Sequence, residues 1–150
     1  MLVIYVNNVK ATMEFYEKAF GWLKMVYKDK KDEFGDVDSY GAMMVDGCVI
    51  NIVNISTVGH ELNLPVPGQC PQAFSIGWSP KDKNVKAAFE KALSVGATAV
   101  KTPAPTPWSE SVAIVSDPNN ITIVMIGKEK QEYNKSLQVY YMPPMPNEQK

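Results

Sequence analysis

Residues 15–20 (FYEKAF) and 88–93 (AFEKAL) decide the fold, because they are two copies of one helical motif. The second copy begins 73 residues after the first. Two further matches at this spacing follow the same order along the chain, so we predict a tandem of two related modules. In these matches, residues 3–5 (VIY) correspond to 76–78 (IGW), and residues 47–52 correspond to 120–125.

The first module has the pattern of one strand, one helix and three further strands. The apolar run 2–6 is short and rich in β-branched residues, which favours a buried strand. Apolar residues recur at helical spacing from Lys10 to Phe20, and Gly21 is a typical helix end. Three more strands are predicted over 23–28, 39–45 and 48–55, with Asp46-Gly47 as the turn between the last two.

The second module repeats this order. It has a predicted strand over 73–78, a helix over about 82–95 that Gly96 closes, and strands near 97–102, 111–116 and 121–126. Residues 117–120 (DPNN) before the last strand are turn formers. Each module is therefore predicted to be βαβββ, and the fold class α+β. The predicted division is 1–60 for the first module, 61–71 for a linker, 72–127 for the second module, and 128–150 for a C-terminal extension or tail.

Composition excludes several function classes. The 150 residues carry 15 Lys and Arg against 16 Asp and Glu, so there is no excess positive charge for nucleic acid. No apolar run is long enough for a membrane span, and the N-terminus has no signal-peptide layout. Two cysteines, Cys48 and Cys70, are too few for a disulfide scaffold. We expect a soluble, cytoplasmic protein without nucleic-acid or membrane partners.

A family resemblance rests on residues 6–9 (VNNV), on 15–21 (FYEKAFG) and on 117–120 before the last strand. These features resemble the vicinal oxygen chelate superfamily over about residues 1–127. That superfamily includes glyoxalase I, bleomycin-resistance proteins, fosfomycin-resistance enzymes and extradiol dioxygenases. The resemblance implies that each module curls its strands into a half-open cup, with helices outside, and that the two cups enclose a cavity.

The resemblance also implies where metal ligands would lie. Metal-dependent members place His or Glu on the first and last strands, at positions that fall here on Met1, Asn51, Phe74 and Val124. Met, Phe and Val offer no hard donor, and one neutral amide oxygen does not hold a catalytic metal. A slip of two residues in the second module would substitute Gln72 or Ile76, and neither restores a site. We therefore expect no functional metal and no cofactor.

Other candidate metal sites are weak. His60 is the only histidine, and it lies between the modules beside Glu61. The acidic stretch 29–38 is interleaved with lysines, which favours a solvated loop over a calcium site.

Strand alternation predicts which side chains share a face with the four implied positions. Most are apolar or aromatic, which suits a planar or hydrophobic small molecule, and the alternative is that they fill a core. Trp108 follows the proline-rich run 103–107, where it would either close the mouth of a cavity or cover exposed core in an ordinary strand connection. The candidate ligand-binding residues are Tyr5, Asn51, Phe74, Trp78, Trp108, Thr122 and Val124. Their same-face neighbours are Val3, Val49, Val53, Ile76 and Ile126.

These observations favour a metal-free protein that binds or sequesters an aromatic or antibiotic-like ligand, similar to the bleomycin-resistance branch. Three alternatives stay open. The first is a metal-dependent enzyme similar to glyoxalases or dioxygenases, and the second is a cofactor-free isomerase or lyase that uses Tyr5, Asn51 or Glu110 as acid–base groups. The third is a structural or regulatory interaction module that works through its C-terminal tail. Unpaired strand edges and the family resemblance both favour a homodimer with two equivalent sites.

Overall fold

The computed structural model describes residues 2–31, 37–57 and 74–132. The predicted linker 61–71, His60 and the extension beyond Glu132 lie outside these residues. Each module has the predicted order of strand, helix and three strands, which confirms the α+β fold class. The elements are β1 (Leu2–Val6), α1 (Val9–Phe20), β2 (Leu23–Lys28), β3 (Tyr40–Val45), β4 (Cys48–Asn54), β5 (Ser75–Trp78), α2 (Val85–Ser94), β6 (Thr98–Ala104), β7 (Val112–Ser116) and β8 (Thr122–Ile126).

Asparagine side chains set where both helices begin. Asn8 accepts a hydrogen bond from the backbone N–H of Ala11 at 2.8 Å, and Asn84 accepts one from that of Ala87 at 3.1 Å. Such caps satisfy donors that the first helical turn leaves unpaired. Because Asn84 is the cap, α2 begins later than the sequence pattern predicts. In the described part of the chain, neither helix is long and apolar enough to cross a bilayer.

Asp38 has a structural role that the solvated-loop prediction missed. Its two carboxylate oxygens accept the backbone N–H groups of Val9 and Lys10, each at 2.8 Å, and Oδ1 also accepts the Tyr27 hydroxyl at 2.8 Å. A carboxylate is stabilising at the positive end of a helix. Asp38, just before β3, is therefore held against the start of α1.

The strands form two four-stranded sheets of the same topology. The first has the order β1-β4-β3-β2 and the second β5-β8-β7-β6. In each sheet the first strand pairs parallel with the last, and the remaining pairs are antiparallel. Within the described residues no strand of one sheet pairs with a strand of the other.

The two helices lie between the two sheets. α1 packs on β2, β3 and β4, α2 packs on β6, β7 and β8, and the helices pack against each other. At Gly41 of β3 a side chain would collide with Met13 of α1, so the helix approaches the sheet closely there. Each sheet buries one face against its helix and leaves the other, its open face, uncovered by either helix. In a single chain the two open faces therefore do not close on each other.

A buried carboxylate joins the two modules. Oδ2 of Asp117, in the turn between β7 and β8, accepts a hydrogen bond of 2.7 Å from the hydroxyl of Tyr16 on α1. Oδ1 accepts the backbone N–H groups of Asn119 at 2.8 Å and Ile121 at 2.7 Å. The Asn119 side chain makes a second link by donating to Thr12 Oγ1 at 3.0 Å. Burial raises the pKa of the Asp117 carboxyl, although its hydrogen bonds act in the opposite direction.

We expect Asp117→Asn to remove the pH dependence that this carboxyl gives to folding. Folding raises its pKa above the ordinary 3.8, so the folded chain holds the proton more tightly than the unfolded chain does. Its contribution to the free energy of unfolding is therefore largest below pH 3.8 and falls as pH rises through the higher pKa of the folded state.

Urea unfolding of both proteins between about pH 3 and pH 7 measures this contribution. The free energy of unfolding of the wild type, relative to the variant, should fall as the pH rises. A relative stability that increases with pH would contradict the raised pKa.

Candidate functional site

The open face of the first sheet is mostly apolar. Paired residues in register point to the same side of a sheet, so its side chains form rows across β1, β4, β3 and β2. Leu23 and Val26 on this face are 65% and 52% exposed, which is unusual for large apolar residues in a strand. The rows are Tyr5, Val53, Tyr40 and Lys28; then Val3, Asn51, Ala42 and Val26; then Val49, Met44 and Leu23.

One hydrogen bond organises the polar groups of this face. The Tyr40 hydroxyl donates to Asn51 Oδ1 at 2.8 Å, diagonally across β3 and β4. The Asn51 Nδ2 donates to no residue among those described. The face therefore presents an oriented amide donor among valines. Sequence reasoning missed Tyr40, although the two-residue turn Asp46-Gly47 sets the hairpin register that brings it beside Asn51.

The open face of the second sheet carries Thr122 and Val124. Val124 lies between Gly77 and Ile114 in an otherwise apolar row that ends at Lys101. Thr122 belongs to a row of four hydroxyl side chains that crosses the whole sheet, and sequence reasoning missed the other three. This row is Ser75, Thr122, Ser116 and Thr98.

Trp78 lies on the opposite face of the second sheet from Thr122 and Val124, which corrects the predicted cavity lining. It pairs with the fully buried Met125, and Ile76 lies on the same buried face. The ring of Trp78 packs against Phe20 of α1, with centroids 5.1 Å apart. Phe74, which precedes β5, is 44% exposed and lies outside the rows of the open face.

The error arises from a one-residue slip in the first strand of the repeat. The 73-residue spacing made Tyr5 equivalent to Trp78, yet Tyr5 lies on an open face and Trp78 on a buried one. The chain from Val6 to the Asn8 cap is much shorter than the chain from Trp78 to the Asn84 cap, so no single spacing relates all elements. Because side chains alternate along a strand, a slip of one residue exchanges the two faces.

Trp108 and Glu110 lie in the loop between β6 and β7. Both are exposed, and neither belongs to the rows of an open face. The loop is tied to the chain after β8, because the backbone N–H of Lys130 donates to the carbonyl of Trp108 at 3.0 Å, and that of Glu110 to the carbonyl of Lys128 at 2.8 Å. The roles predicted for these two residues stay predictions.

The donor set does not fit the catalytic metal that the resemblance implies. The Asn51 carbonyl oxygen already accepts the Tyr40 hydroxyl. The corresponding open-face positions of the second sheet are Val124 and either Ser75 or Gly77, which supply no imidazole, carboxylate or thiolate. Met1 lies outside the described residues. In the described ranges, no three His, Cys, Asp or Glu side chains are grouped so that they could hold a metal ion.

Comparison with known proteins agrees with the fold. The Glyoxalase/Bleomycin resistance protein/Dioxygenase superfamily matches residues 1–125. A glyoxalase/bleomycin resistance protein/dioxygenase family enzyme from Burkholderia phytofirmans PsJN is 17% identical, with a TM-score of 0.69 over 83% of this chain and 93% of that chain. The fosfomycin resistance protein FosX from Mesorhizobium loti is 10% identical, with a TM-score of 0.64 over 90% and 94%.

A third similar structure is TioX from Micromonospora sp. ML1, which is 13% identical with a TM-score of 0.57 over 83% of this chain and 94% of that chain. At these identities the likeness shows the fold alone. No curated protein matches the sequence significantly.

We expect the purified protein to retain no stoichiometric transition metal. The reason is the missing imidazole, carboxylate and thiolate donors on the open faces. Equilibration with manganese, nickel and zinc salts, followed by desalting and elemental mass spectrometry, measures the retained metal. One ion per chain would contradict the expectation and would assign ligands to residues outside those described.

Proposed function

The chain belongs to the Glyoxalase/Bleomycin resistance protein/Dioxygenase superfamily, and we propose that it is a metal-independent protein that binds an aromatic or antibiotic-like small molecule on its open sheet faces. The observation that carries this proposal is the Tyr40–Asn51 hydrogen bond within an apolar face. It orients an amide donor where neighbouring side chains favour a flat, hydrophobic partner. The name of the FosX neighbour includes fosfomycin resistance, which supports an antibiotic-like ligand for this fold.

The side chains on the two open faces indicate which chemical groups a ligand would carry. Tyr5, 41% exposed, and Tyr40 offer aromatic surfaces on either side of Val53, against which a planar ring can pack. Asn51 Nδ2 supplies a donor for a carbonyl, hydroxyl or carboxylate oxygen on the ligand. The hydroxyl row through Thr122 can donate and accept hydrogen bonds along a polar edge. A planar aromatic molecule with oxygen substituents on one edge matches both faces.

A homodimer completes this site. In one chain the open faces point away from each other, with the helices between them, so a ligand on one face has no opposing wall. The exposed Leu23 and Val26 also need covering. A two-fold dimer that sets the first sheet of one chain against the second sheet of its partner closes two equivalent cavities. Each cavity then combines the Tyr40–Asn51 pair of one protomer with the hydroxyl row of the other.

Binding of 1-anilinonaphthalene-8-sulfonate, an aromatic probe that fluoresces in apolar surroundings, tests the site. We expect saturable binding with one site per chain. Asn51→Ala removes the amide donor and should weaken binding roughly two- to tenfold, the usual size of one hydrogen bond. Tyr5→Ala should weaken it by a similar factor through lost ring packing.

The matched control is Lys86→Gln, which changes an exposed residue of α2. It should leave the affinity unchanged. Equal affinities for wild type, Asn51→Ala and Tyr5→Ala would place the probe elsewhere and overturn the proposed site.

Mixing two defective variants tests whether each cavity is shared between protomers. Asn51→Lys damages the first-sheet wall and Val124→Lys the second-sheet wall, so each homodimer should bind poorly. In the mixed dimer of the shared arrangement, one cavity receives both damaged walls and the other receives two intact ones. After unfolding and refolding an equal mixture, roughly a quarter of the cavities should therefore bind the probe. If probe binding does not recover in the mixture, the cavity is not shared between protomers. The titration of Asn51→Ala and Tyr5→Ala would then still test binding by a single chain.

A further inference from the structure

A concave site lies at the junction of the two modules. It is a groove of about 650 Å³, bounded by the end of α1, the β3–β4 turn, the segment after β5 and the first turns of α2. Tyr5, Asn51, Thr122 and Val124, which carry the proposed open-face site, do not line it. We call it the junction groove. Its volume is in the range of sites that bind small molecules.

Three aromatic rings form the floor of the junction groove: Phe20, Trp22 and Trp78. The ring centroid of Phe20 is 5.0 Å from that of Trp22 and 5.1 Å from that of Trp78, and the two indoles are 6.3 Å apart. The indole Nε1 of Trp22 is buried and has no acceptor among the described residues. A buried donor without a partner is uncommon, and an acceptor from outside these residues would satisfy it.

Four charged side chains line the groove above the aromatic floor: Asp46, Lys81, Asp82 and Lys91. Within the ranges that the structure describes, none of them forms an ion pair; the pair that is present joins Lys24 and Glu17. These two cations and two anions offer binding positions for both charge signs. Their balance disfavours a ligand with a large net charge and favours one that carries a cation and an anion together.

We propose that the junction groove binds a small aromatic zwitterion of the size and type of an aromatic amino acid. The ring packs on Phe20, Trp22 and Trp78, where aromatic surfaces favour a flat apolar partner. The carboxylate of the ligand pairs with Lys81 and Lys91, and its ammonium group pairs with Asp46 and Asp82. The groove borders the open face of the first sheet at Leu23 and Met44. Neither residue carries the ligand contacts of the proposed function, so the two proposals are tested with different residues.

Titration of the full-length ¹⁵N-labelled protein with unlabelled L-tryptophan tests the site. The chain has three tryptophans, so three indole N–H signals are expected, and Trp→Phe variants assign them. The signals of Trp22 and Trp78 should shift with one saturable affinity. Trp108, which does not line the groove, is the internal control and should not shift. Tryptamine lacks the carboxylate and indole-3-acetate lacks the ammonium group, so each should bind more weakly than L-tryptophan.

Charge variants distinguish the groove from non-specific contact. Lys91→Gln and Asp46→Asn should each weaken L-tryptophan binding roughly two- to fivefold, the usual range for exposed ion pairs. Asn tolerates the left-handed backbone of residue 46, where φ is 46°, so the second variant keeps the turn. The control variant Lys86→Gln changes an exposed α2 residue outside the groove and should leave the affinity unchanged. Unshifted Trp22 and Trp78 signals, equal affinities for the three probes, or an effect of Lys86→Gln equal to that of Lys91→Gln would each overturn the proposal.

Discussion

The arrangement of the two modules depends on the hydrogen bonds that the buried carboxylate of Asp117 accepts. A carboxylate removed from water is costly unless hydrogen bonds satisfy it, so its partners have little freedom to move. Through Asn119 and Ile121 it fixes the turn before β8, and through Tyr16 it fixes that turn against α1. The helices are thereby held face to face, and the sheets are turned outward on either side of them.

Outward-facing sheets account for both proposed sites. Each open face is left without an opposing wall in its own chain, which is why the proposed ligand site includes a partner protomer. The same packing leaves the aromatic rings of Phe20, Trp22 and Trp78 at the junction, where the modules meet but do not fill the space between them. The two sites differ in chemistry, since one combines an amide and hydroxyl groups with valines and the other combines aromatic rings with side chains of both charge signs.

The side chains on the open faces differ from those expected of metal-dependent members of the superfamily. A fold does not fix an activity, because activity depends on the side chains that a particular chain places on it. Here Asn51 and Val124 occupy strand positions where metal-dependent relatives are expected to have ligands, and Tyr40 engages the one oxygen donor of that pair. What these faces retain is apolar surface and a few oriented polar groups, and the proposed ligand binding rests on them.

The sequence by itself determined the order of the strands and helices, the tandem of modules and the residue types at the candidate metal positions. These features depend on local periodicity, on turn residues such as Asp46-Gly47, and on side-chain chemistry, all of which can be read along the chain. Only the tertiary structure decided on which face of the second sheet Trp78 lies. The pairing of Trp78 with Met125 sets the register of β5, and the loop after β5 is longer than the corresponding loop after β1. The tertiary structure also decided the contact between Tyr16 and Asp117, which lie 101 residues apart. No local pattern encodes such a contact, since it forms only when separate elements pack together.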